Sequence, residues 1–425
     1  MLTIIFSVFL ISLFLGFPVA LCLALTACAG LLFQGSPLIV VVQRMFQGFN
    51  SFSLLAVPFF VLAGDLMNKC GITQRLIDFS YLLVGRIPGG LAHANIAASM
   101  FFGGISGSAV ADTAAIGSIM VPGMIRNGYD PGFSAAVTAA SSTMGPIIPP
   151  SILMVIMGVT TGMSIGGLFT AGIVPGLMLG IGMMIYSYFV SIRRNYPRDP
   201  HPLTMRRLLR GLREAGPALM APLIIMGGIM GGIFTPTEAA AVAVLYALFL
   251  GLCYRTLRLK DCIEVLSSSV ITTAVLLFII GTANAFAWLL AAEQIPEHLA
   301  QLIQSVTTNK FLILLLLNLL LLFIGMFLEG GAAIIILAPT LLSVATQVGI
   351  EPLHFGTIMV LNMAVGLLTP PLGVCLFVVC GVTKLDLSMV IRAVIPFVFV
   401  ELAVVLIITY LPETCLAIPR LLGYL

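Results

Sequence analysis

Charged side chains are scarce in this sequence. Of its 425 residues, 8% are Asp, Glu, Lys or Arg, whereas 60% are apolar. A soluble globular protein carries about 25% charged residues, so this chain lacks the polar surface that soluble domains of this length need. Long unbroken apolar runs also exclude the period-two alternation of a membrane β-barrel. Because helices that span lipid satisfy their backbone groups internally, the composition predicts an all-α polytopic membrane protein.

Signals for several other kinds of site are missing as well. The eight cysteines form no CxxC pair, which favours small buried hydrophobes over a disulfide or transition-metal framework. The four histidines show no ligand spacing. No GxxxxGK[ST] phosphate loop occurs, so the sequence predicts no ATP site. An ion gradient or another subunit must then supply energy.

Apolar runs long enough to span a bilayer, about 20 residues, divide the chain. They cover residues 2–33, 51–67, 76–85 with its neighbours, 168–192, 218–234, 237–254, 263–292 and 388–411. The first is expected to be one membrane helix. Seven of the 19 basic residues lie between Arg193 and Arg213, and the positive-inside rule places this segment in the cytoplasm rather than on nucleic acid. Its second half has the spacing of an amphipathic helix on the membrane surface.

The chain contains an internal repeat. Equivalent residues are separated along the chain by the same number of residues as Gly104 and Gly325, and we call this separation the repeat offset. Seven Gly and Pro residues recur at this repeat offset without gaps: Gly104 with Gly325, Gly128 with Gly349, Pro131 with Pro352, Gly145 with Gly366, Pro149-Pro150 with Pro370-Pro371, and Pro175 with Pro396. Five crossings separate Gly128, counted as inside, from Gly349. The two halves are therefore expected to be inverted about the membrane plane, as in many secondary transporters.

Each half contains a candidate hairpin tip. The stretch 103–109, Gly-Gly-Ile-Ser-Gly-Ser-Ala, lies midway in the apolar segment 91–125, and its counterpart is 325–331, Gly-Met-Phe-Leu-Glu-Gly-Gly. Small residues allow a tight turn with bare backbone. A packing face between membrane helices is the alternative interpretation, but the match between the halves favours two re-entrant hairpins.

Each half also contains a candidate helix break. Residues 142–151 and 366–371 both carry adjacent prolines, which remove two amide donors and unwind a helix. Freed carbonyls and helix ends suit Na⁺ or a carboxylate. A single Pro-Pro pair is more often a simple kink, but two related pairs beside candidate tips predict ion sites.

A few polar residues lie within the apolar segments. Asp112 follows the first tip and Glu329 lies in the second; an acid at membrane depth is a functional candidate, although Asp112 could instead be a structural partner. Asp65, Glu238 and Glu401 lie nearer span ends and are expected to be interfacial or structural. Asn318 and Asn362 are expected mainly to join helices, and Asn362 is also a candidate substrate contact.

The motifs resemble a known family. The runs Ser106–Ala115, Gly145–Ser151 and Phe234–Ala239, together with Pro58–Gly64 and 366–371, look like the large membrane subunit of tripartite ATP-independent periplasmic (TRAP) transporters. The resemblance covers nearly the whole chain. It implies import of an organic acid together with two or more Na⁺ ions, by an elevator motion in the bacterial inner membrane. It also implies two partners, a periplasmic binding protein and a small four-helix membrane subunit on a separate chain.

The resemblance also implies a division of the chain. Residues 1–85 and 168–306 would be scaffold helices, 86–167 and 307–387 the two halves of a transport domain, each with a hairpin and a broken helix, and 388–425 a C-terminal helix. The candidate Na⁺ ligands are Ser106, Gly107, Ser108, Gly145 and Pro149 in the first half and Gly325, Glu329, Gly366 and Thr369 in the second. The candidate substrate contacts are Ser108, Asp112, Thr113 and Asn362.

Two other functions are compatible with parts of this pattern. A stand-alone ion-coupled carrier or antiporter would need no binding protein. An intramembrane enzyme could use Ser108 and Asp112, four residues apart, but no His or Lys stands at a matching position to activate the serine, so we expect no enzyme. The pattern does not distinguish C4-dicarboxylates, sialic acids, and other sugar or keto acids as substrates.

Overall fold

The computed structural model of the chain describes residues 2–294, 309–370 and 373–425. In these residues all regular structure is helical, with nineteen α-helices and one short 3-10 helix, Phe52–Leu55. Seven described stretches are long and apolar enough to cross a membrane: Phe52–Lys69, Ile165–Arg193, Met205–Met230, Pro236–Cys253, Lys260–Ala292, Gly330–Gln347 and Leu387–Tyr410. The protein is therefore an all-α, multi-pass membrane protein, as the composition predicts.

The helices before the long arginine-rich loop are numbered α1 to α10. They are α1 (Leu2–Phe14), α2 (Val19–Phe33), α3 (Ile39–Phe49), α4 (Ala56–Lys69), α5 (Ile72–Val84), α6 (Gly90–Ser106), α7 (Ala109–Arg126), α8 (Pro131–Ser142), α9 (Ile152–Thr161) and α10 (Ile165–Arg193). The remainder are α11 (Met205–Met230), α12 (Pro236–Cys253), α13 (Leu259–Ala292), α14 (Lys310–Gly325), α15 (Gly330–Gln347), α16 (Pro352–Gly366), α17 (Val374–Thr383), α18 (Leu387–Tyr410) and α19 (Glu413–Leu421).

Helix boundaries in the two halves follow the repeat offset. Helix α7 and helix α15 begin and end at equivalent positions, and both α8 and α16 begin with a proline in the first turn. The caps correspond too: Asp130 accepts the amide of Phe133 at 2.8 Å, and Glu351 accepts that of His354 at 2.7 Å. Proline at the first position and an acidic N-cap are strong local start signals, so equivalent sequence starts equivalent helices.

At the centre of the protein, helices of one half pack against helices of the other. Helix α9, which follows the break in the first half, packs against α15 of the second, and α17, which follows the second break, packs against α7 of the first. Helix α18 packs along both α8 and α16. Buried residues from these helices, among them Met154, Ile335 and Val379, belong to one continuous apolar core.

The open ends of the two helical hairpins lie far apart. The α6–α7 pair opens at the arginine-rich loop, where Arg194 lies 3.5 Å from Asp130 and the rings of Tyr129 and Tyr196 stack at 4.3 Å. The α14–α15 pair opens where the Lys310 ammonium donates to the carbonyl of Gly349 at 2.7 Å. Helix α18 joins these regions, since its first turn lies against the start of α8 and its last turn against the start of α14.

The arginine-rich loop is held by a buried acid. Asp199 accepts the amide of His201 at 3.0 Å and lies 3.5 Å from the Arg207 guanidinium. These groups, chiefly the His201 amide, hold the pKa of Asp199 below its usual range. Nearby, burial raises the pKa of Tyr129 to about 12. This end of the protein is therefore ordered by specific polar contacts.

Three expectations about helices are wrong. The single helix expected over residues 2–33 is two packed helices, because Gly16 takes a left-handed backbone conformation (φ +80°) just before Pro18. The amphipathic segment after residue 205 is not a separate surface helix but the first part of continuous α11.

The third concerns residues 76–85, which do not form a spanning helix. Helix α5 starts next to Lys69, which lies 3.1 Å from Glu264, and its end at Gly85 accepts the amide of Asp199 at 2.8 Å. Asp199, in the arginine-rich loop, and Glu264, near the start of α13, lie on the same side of the membrane. Two spanning helices, α11 and α12, separate them along the chain.

Candidate functional site

The first hairpin tip packs directly onto the first helix break. Helix α6 ends at Ser106, Gly107 turns the chain with a positive φ of 63°, and Ser108 caps α7 by accepting the amide of Ala111 at 3.4 Å. A Cβ at Gly107 would lie 3.0 Å from the carbonyl oxygen of Pro150. Only glycine both adopts this conformation readily and permits this approach, so the tip sequence is explained by its contact with the break.

The break itself is non-helical from Thr143 to Ser151. Its backbone bonds shorten from the α pattern to i→i+3, with the amide of Gly145 donating to the carbonyl of Ser142 at 3.0 Å. The carbonyl of Pro149 would lie 3.3 Å from a Cβ placed at Gly104. Carbonyl oxygens of the break therefore face the tip, which is the arrangement that the proline pair predicts.

Asp112 lies where the tip and the break meet. Its carboxylate is fully buried; Oδ1 accepts a hydrogen bond from the Ser106 hydroxyl, and Oδ2 has no partner among the described residues. A Cβ placed at Gly145 would overlap Oδ2, so the carboxylate lies directly against the backbone of the break. We call the segments 103–108 and 143–151, together with Asp112, the first junction.

Thr113 lies beside the first junction on the same helix. Its hydroxyl donates to the carbonyl of Ala109 at 2.8 Å and its side chain also contacts Cys375 of α17. Thr113 is fully buried. It therefore faces the other half of the protein, next to Asp112.

The second tip and break meet in the same way. A Cβ at Gly366 would lie 2.5 Å from the carbonyl oxygen of Gly325, so the two backbones are in direct contact. Beyond Gly366 the amide of Thr369 donates to its carbonyl at 3.1 Å, and the Thr369 hydroxyl donates to the carbonyl of Val365 at 2.8 Å. We call the segments 325–329 and 366–370 the second junction; Pro371 lies outside the described residues.

Glu329 is not a buried acid, contrary to the sequence expectation. Its side chain is exposed, and its two carboxylate oxygens accept the amides of Gly331 and Ala332 at 3.0 and 2.9 Å. It caps α15 as the equivalent Ser108 caps α7. An N-cap carboxylate satisfies amides that the first helical turn leaves free, which accounts for an acid at this position without burial.

Asn362 joins helices next to the second junction. Its Nδ2 donates to the Asn318 side chain at 2.7 Å and to the carbonyl of Ile358 at 2.8 Å, while its Oδ1 has no partner among the described residues. The equivalent residue in the first half, Ser141, bonds Ser99 at 2.8 Å. Helix joining is thus what both positions share.

One buried acid next to the first junction was missed at the sequence level. Glu401 lies in the interior of α18, fully buried, with its carboxyl 2.7 Å from the Thr143 hydroxyl. It does not lie near a span end as expected. An acid inside a run as apolar as 388–411 is the signal that could have found it. By contrast, Asp65 accepts a hydrogen bond from Ser269 and Glu238 caps α12, both structural roles.

The polar groups at the two junctions that could bind a ligand are mainly oxygen atoms. Hydroxyls, carbonyls and a carboxylate suit alkali or alkaline-earth cations rather than soft transition metals. Within the described ranges no three His, Cys, Asp or Glu side chains are grouped to hold a metal ion. The oxygen groups present at the two junctions are therefore of the kind that small hard cations prefer.

Comparison with known proteins identifies the family. The family model of the tripartite ATP-independent periplasmic transporter, DctM component, matches residues 6–414. The chain belongs to this TRAP transporter permease family. It is 44% identical over 415 residues to the sialic acid TRAP transporter large permease protein SiaM of Vibrio cholerae, covering 97% of each chain. It is 43% identical to the C4-dicarboxylate TRAP transporter large permease protein DctM of Pseudomonas aeruginosa, covering 92% of each.

Two further similarities extend this result. This permease is 42% identical to the isethionate TRAP transporter permease protein DctMQ of Oleidesulfovibrio alaskensis, where the match covers 97% of this chain and 65% of that protein. The crystal structure of the YdaH transporter of Alcanivorax borkumensis shares its fold, with a TM-score of 0.58, 16% identity, and coverage of 89% and 87%. These relatives are named as transporters or permeases, which agrees with the expectation that the chain is not an enzyme.

Proposed function

We propose that this TRAP permease imports an organic acid together with Na⁺, receiving the acid from a periplasmic binding protein. One observation carries the proposal: a glycine-rich hairpin tip packs onto an unwound break in each half, at positions related by the repeat offset. The first junction brings oxygen ligands and helix ends together in the buried interior, and the second does so at a partly exposed position. Transporters place coupling ions at such broken helices.

The arrangement of the ends supports an inverted repeat. The α6–α7 hairpin opens at the arginine-rich loop and the α14–α15 hairpin opens at Gly349, at opposite ends of α18. If the arginine-rich loop is cytoplasmic, as the positive-inside rule expects, the two hairpins enter the membrane from opposite sides. An elevator motion of the two halves against the remaining helices is the mechanism we propose.

The charge at the first junction gives a physical reason for coupling. An ionised Asp112 would repel a carboxylate substrate bound between the junctions, because the side chain is fully buried and its one hydrogen-bond donor among the described residues is Ser106. A Na⁺ ion at the first junction would offset that repulsion, since charges interact strongly in a low-dielectric site. Substrate and cation would thus bind better together than alone.

The substrate class and partners follow from the family. Relatives are named for sialic acid, C4-dicarboxylates and 2,3-diketo-L-gulonate, so we propose an organic acid. We also propose a small membrane subunit as partner and the bacterial inner membrane as location.

Uptake by proteoliposomes tests the proposal. The permease, its small subunit and its binding protein would be reconstituted, and labelled sialic acid, a C4-dicarboxylate and a sugar acid would each be offered with and without an inward Na⁺ gradient. We expect uptake of one acid that requires both the gradient and the binding protein. Uptake that needs neither would refute the proposal, and uptake that needs Na⁺ alone would favour a stand-alone carrier.

A further inference from the structure

Glu401 is a buried carboxyl that the proposed transport mechanism does not use. It lies in the interior of α18, and its side chain is fully shielded from solvent. One carboxyl oxygen, Oε1, lies 2.7 Å from the hydroxyl of Thr143, the first residue of the break in the first half. The other oxygen, Oε2, has no partner among the described residues.

The Thr143 hydroxyl makes two short contacts, and together they need two protons. Thr143 supplies one, so the other must come from Glu401. The Thr143 hydroxyl also lies 2.6 Å from the carbonyl oxygen of Ala140. A hydroxyl has a single proton to donate, so it cannot serve both a carboxylate and a carbonyl. If Glu401 is protonated, its O–H donates to Thr143, and Thr143 donates to Ala140. Both short contacts are then satisfied.

The surroundings contain no described charge that would hold Glu401 ionised. Helix α18 packs against α8, α10, α16, α17 and α19, and its last turn also contacts α14. Helix α8 carries no ionisable side chain. The titratable groups on the other five and on α18 itself are Tyr186, Tyr188, Arg193, Lys310, His354, Cys375, Cys380, Arg392, Tyr410, Glu413, Cys415 and Arg420.

Among these groups, Cys375 of α17 is within electrostatic reach of Glu401. Tyr186 packs on Phe397, one turn away, and His354 bonds the carbonyl of Ile408. Arg420 pairs with Glu413, and both side chains are exposed. An unpaired buried carboxylate is strongly unfavourable, so the neutral form fits this environment.

Glu401 is connected to the first junction through two routes. Thr143 begins the break, two residues before Gly145, which faces Asp112. Cys375 contacts the side chain of Thr113 and lies within electrostatic reach of both Glu401 and Asp112. Loss of the proton would therefore place a negative charge behind the break and draw the Thr143 hydroxyl proton away from Ala140.

We propose that Glu401 is a proton-binding site attached to the first junction, protonated in this conformation, and that its proton opposes cation binding there. The cation part of this inference rests on the proposed Na⁺ coupling; the proton part does not. Binding of the cation and loss of the proton are linked: if the cation favours ionised Glu401, then ionisation of Glu401 raises the affinity for the cation by the same factor. Acid pH would then weaken Na⁺ binding.

Infrared difference spectroscopy tests the proton directly. The purified permease complex would be compared with the Glu401→Gln variant, and the C=O stretch of a protonated carboxylic acid would be followed. We expect wild type to show one such band that Glu401→Gln lacks and that the control Asp65→Asn retains. If the band is unchanged in Glu401→Gln, Glu401 is not protonated and the proposal is overturned, whatever the coupling ion.

Na⁺-dependent uptake at several pH values tests the opposition between proton and cation. In wild type the half-saturating Na⁺ concentration should rise as pH falls through the titration of Glu401, by up to about tenfold per pH unit for one proton. Glu401→Gln should have a pH-independent value near the acid limit of wild type, because a Gln amide also donates to Thr143. Asp65→Asn should keep the wild-type slope.

Variants of Thr143 separate this role from simple packing. Thr143→Val removes the hydroxyl that lies between the Glu401 carboxyl and the Ala140 carbonyl, whereas Thr143→Ser retains it. We expect Thr143→Val to flatten the pH dependence of Na⁺ use and Thr143→Ser to restore it. An unaltered slope in Glu401→Gln or Thr143→Val would overturn the opposition. If wild-type uptake needs no Na⁺ at all, the proposed function fails, while the infrared result still decides whether Glu401 holds a proton.

Discussion

Substitution of Gly366 by alanine should disrupt the second junction. A Cβ at Gly366 would lie 2.5 Å from the carbonyl oxygen of Gly325, 2.6 Å from its carbonyl carbon and 2.7 Å from its Cα. All three atoms belong to the backbone, so no side-chain rotation can relieve the overlap. Ordinary carbon contacts begin at about 3.5 Å. The hairpin tip would therefore have to move by about 1 Å.

The cost follows from the packing of the two backbones. Inserting a methyl group into a well-packed site costs about 1–3 kcal/mol, or about 5- to 150-fold in an equilibrium. Alanine gains up to about 1 kcal/mol over glycine inside a helix, but Gly366 is the last residue of α16 and should gain less. We expect a net destabilisation of about 1–2 kcal/mol.

A graded set of variants provides the control. Gly325→Ala should be milder, because its nearest neighbour would be the Cα of Gly366 at 3.3 Å, and Gly381→Ala in α17 should be neutral or stabilising, because nothing lies within 4 Å. Thermal unfolding of the purified permease and Na⁺-dependent uptake would be measured for all three. If Gly366→Ala melts at or above wild type, or if Gly381→Ala is equally damaging, the direct contact of tip and break is wrong.

Three further substitutions test other contacts. Ser106→Ala removes the hydroxyl bonded to Asp112. If Asp112 is ionised when Na⁺ binds, loss of this hydrogen bond, about 1.5–3 kcal/mol, should raise the half-saturating Na⁺ concentration about 10- to 150-fold, and an unchanged Na⁺ response would exclude this role. Glu329→Ala removes the cap of α15 and should lower stability by about 1 kcal/mol, measured by thermal unfolding; loss of uptake with full stability would instead indicate a ligand. Asp199 has a lowered pKa because the His201 amide donates to it, so its contribution should be present at neutral pH and be lost as pH falls below about 4; Asp199→Asn should abolish this acid-dependent loss in melting temperature.

Local chemistry explains why so much of the central architecture is predictable. The proline pair 149–150 prevents a continuous helix because it removes donors, and Gly107 turns the chain where other residues would be strained. Proline and an acidic cap at 130–131 and 351–352 start equivalent helices in both halves. These effects act within a few residues, so the positions of tips, breaks and helix starts are contained in the sequence.

Helix length and direction are less local. Residues 2–33 are almost wholly apolar, yet they form two helices because Gly16 and Pro18 interrupt the run. Helix α5 is amphipathic rather than spanning because it begins beside the Lys69–Glu264 ion pair and ends at the Gly85–Asp199 hydrogen bond, on one side of the protein. Hydropathy alone measures how apolar a segment is, and it does not report where the ends of that segment are held.

The sequence by itself determined the membrane class, the internal repeat, and the pairing of each glycine-rich tip with a proline break. Only the tertiary structure decided which side chains meet at those breaks. Glu401 and Thr143 are far apart in sequence, yet they lie 2.7 Å from each other, whereas Glu329 caps its own helix with an exposed side chain. Contacts of this kind depend on the packing of distant helices, because a buried polar group takes whichever partner the fold brings to it.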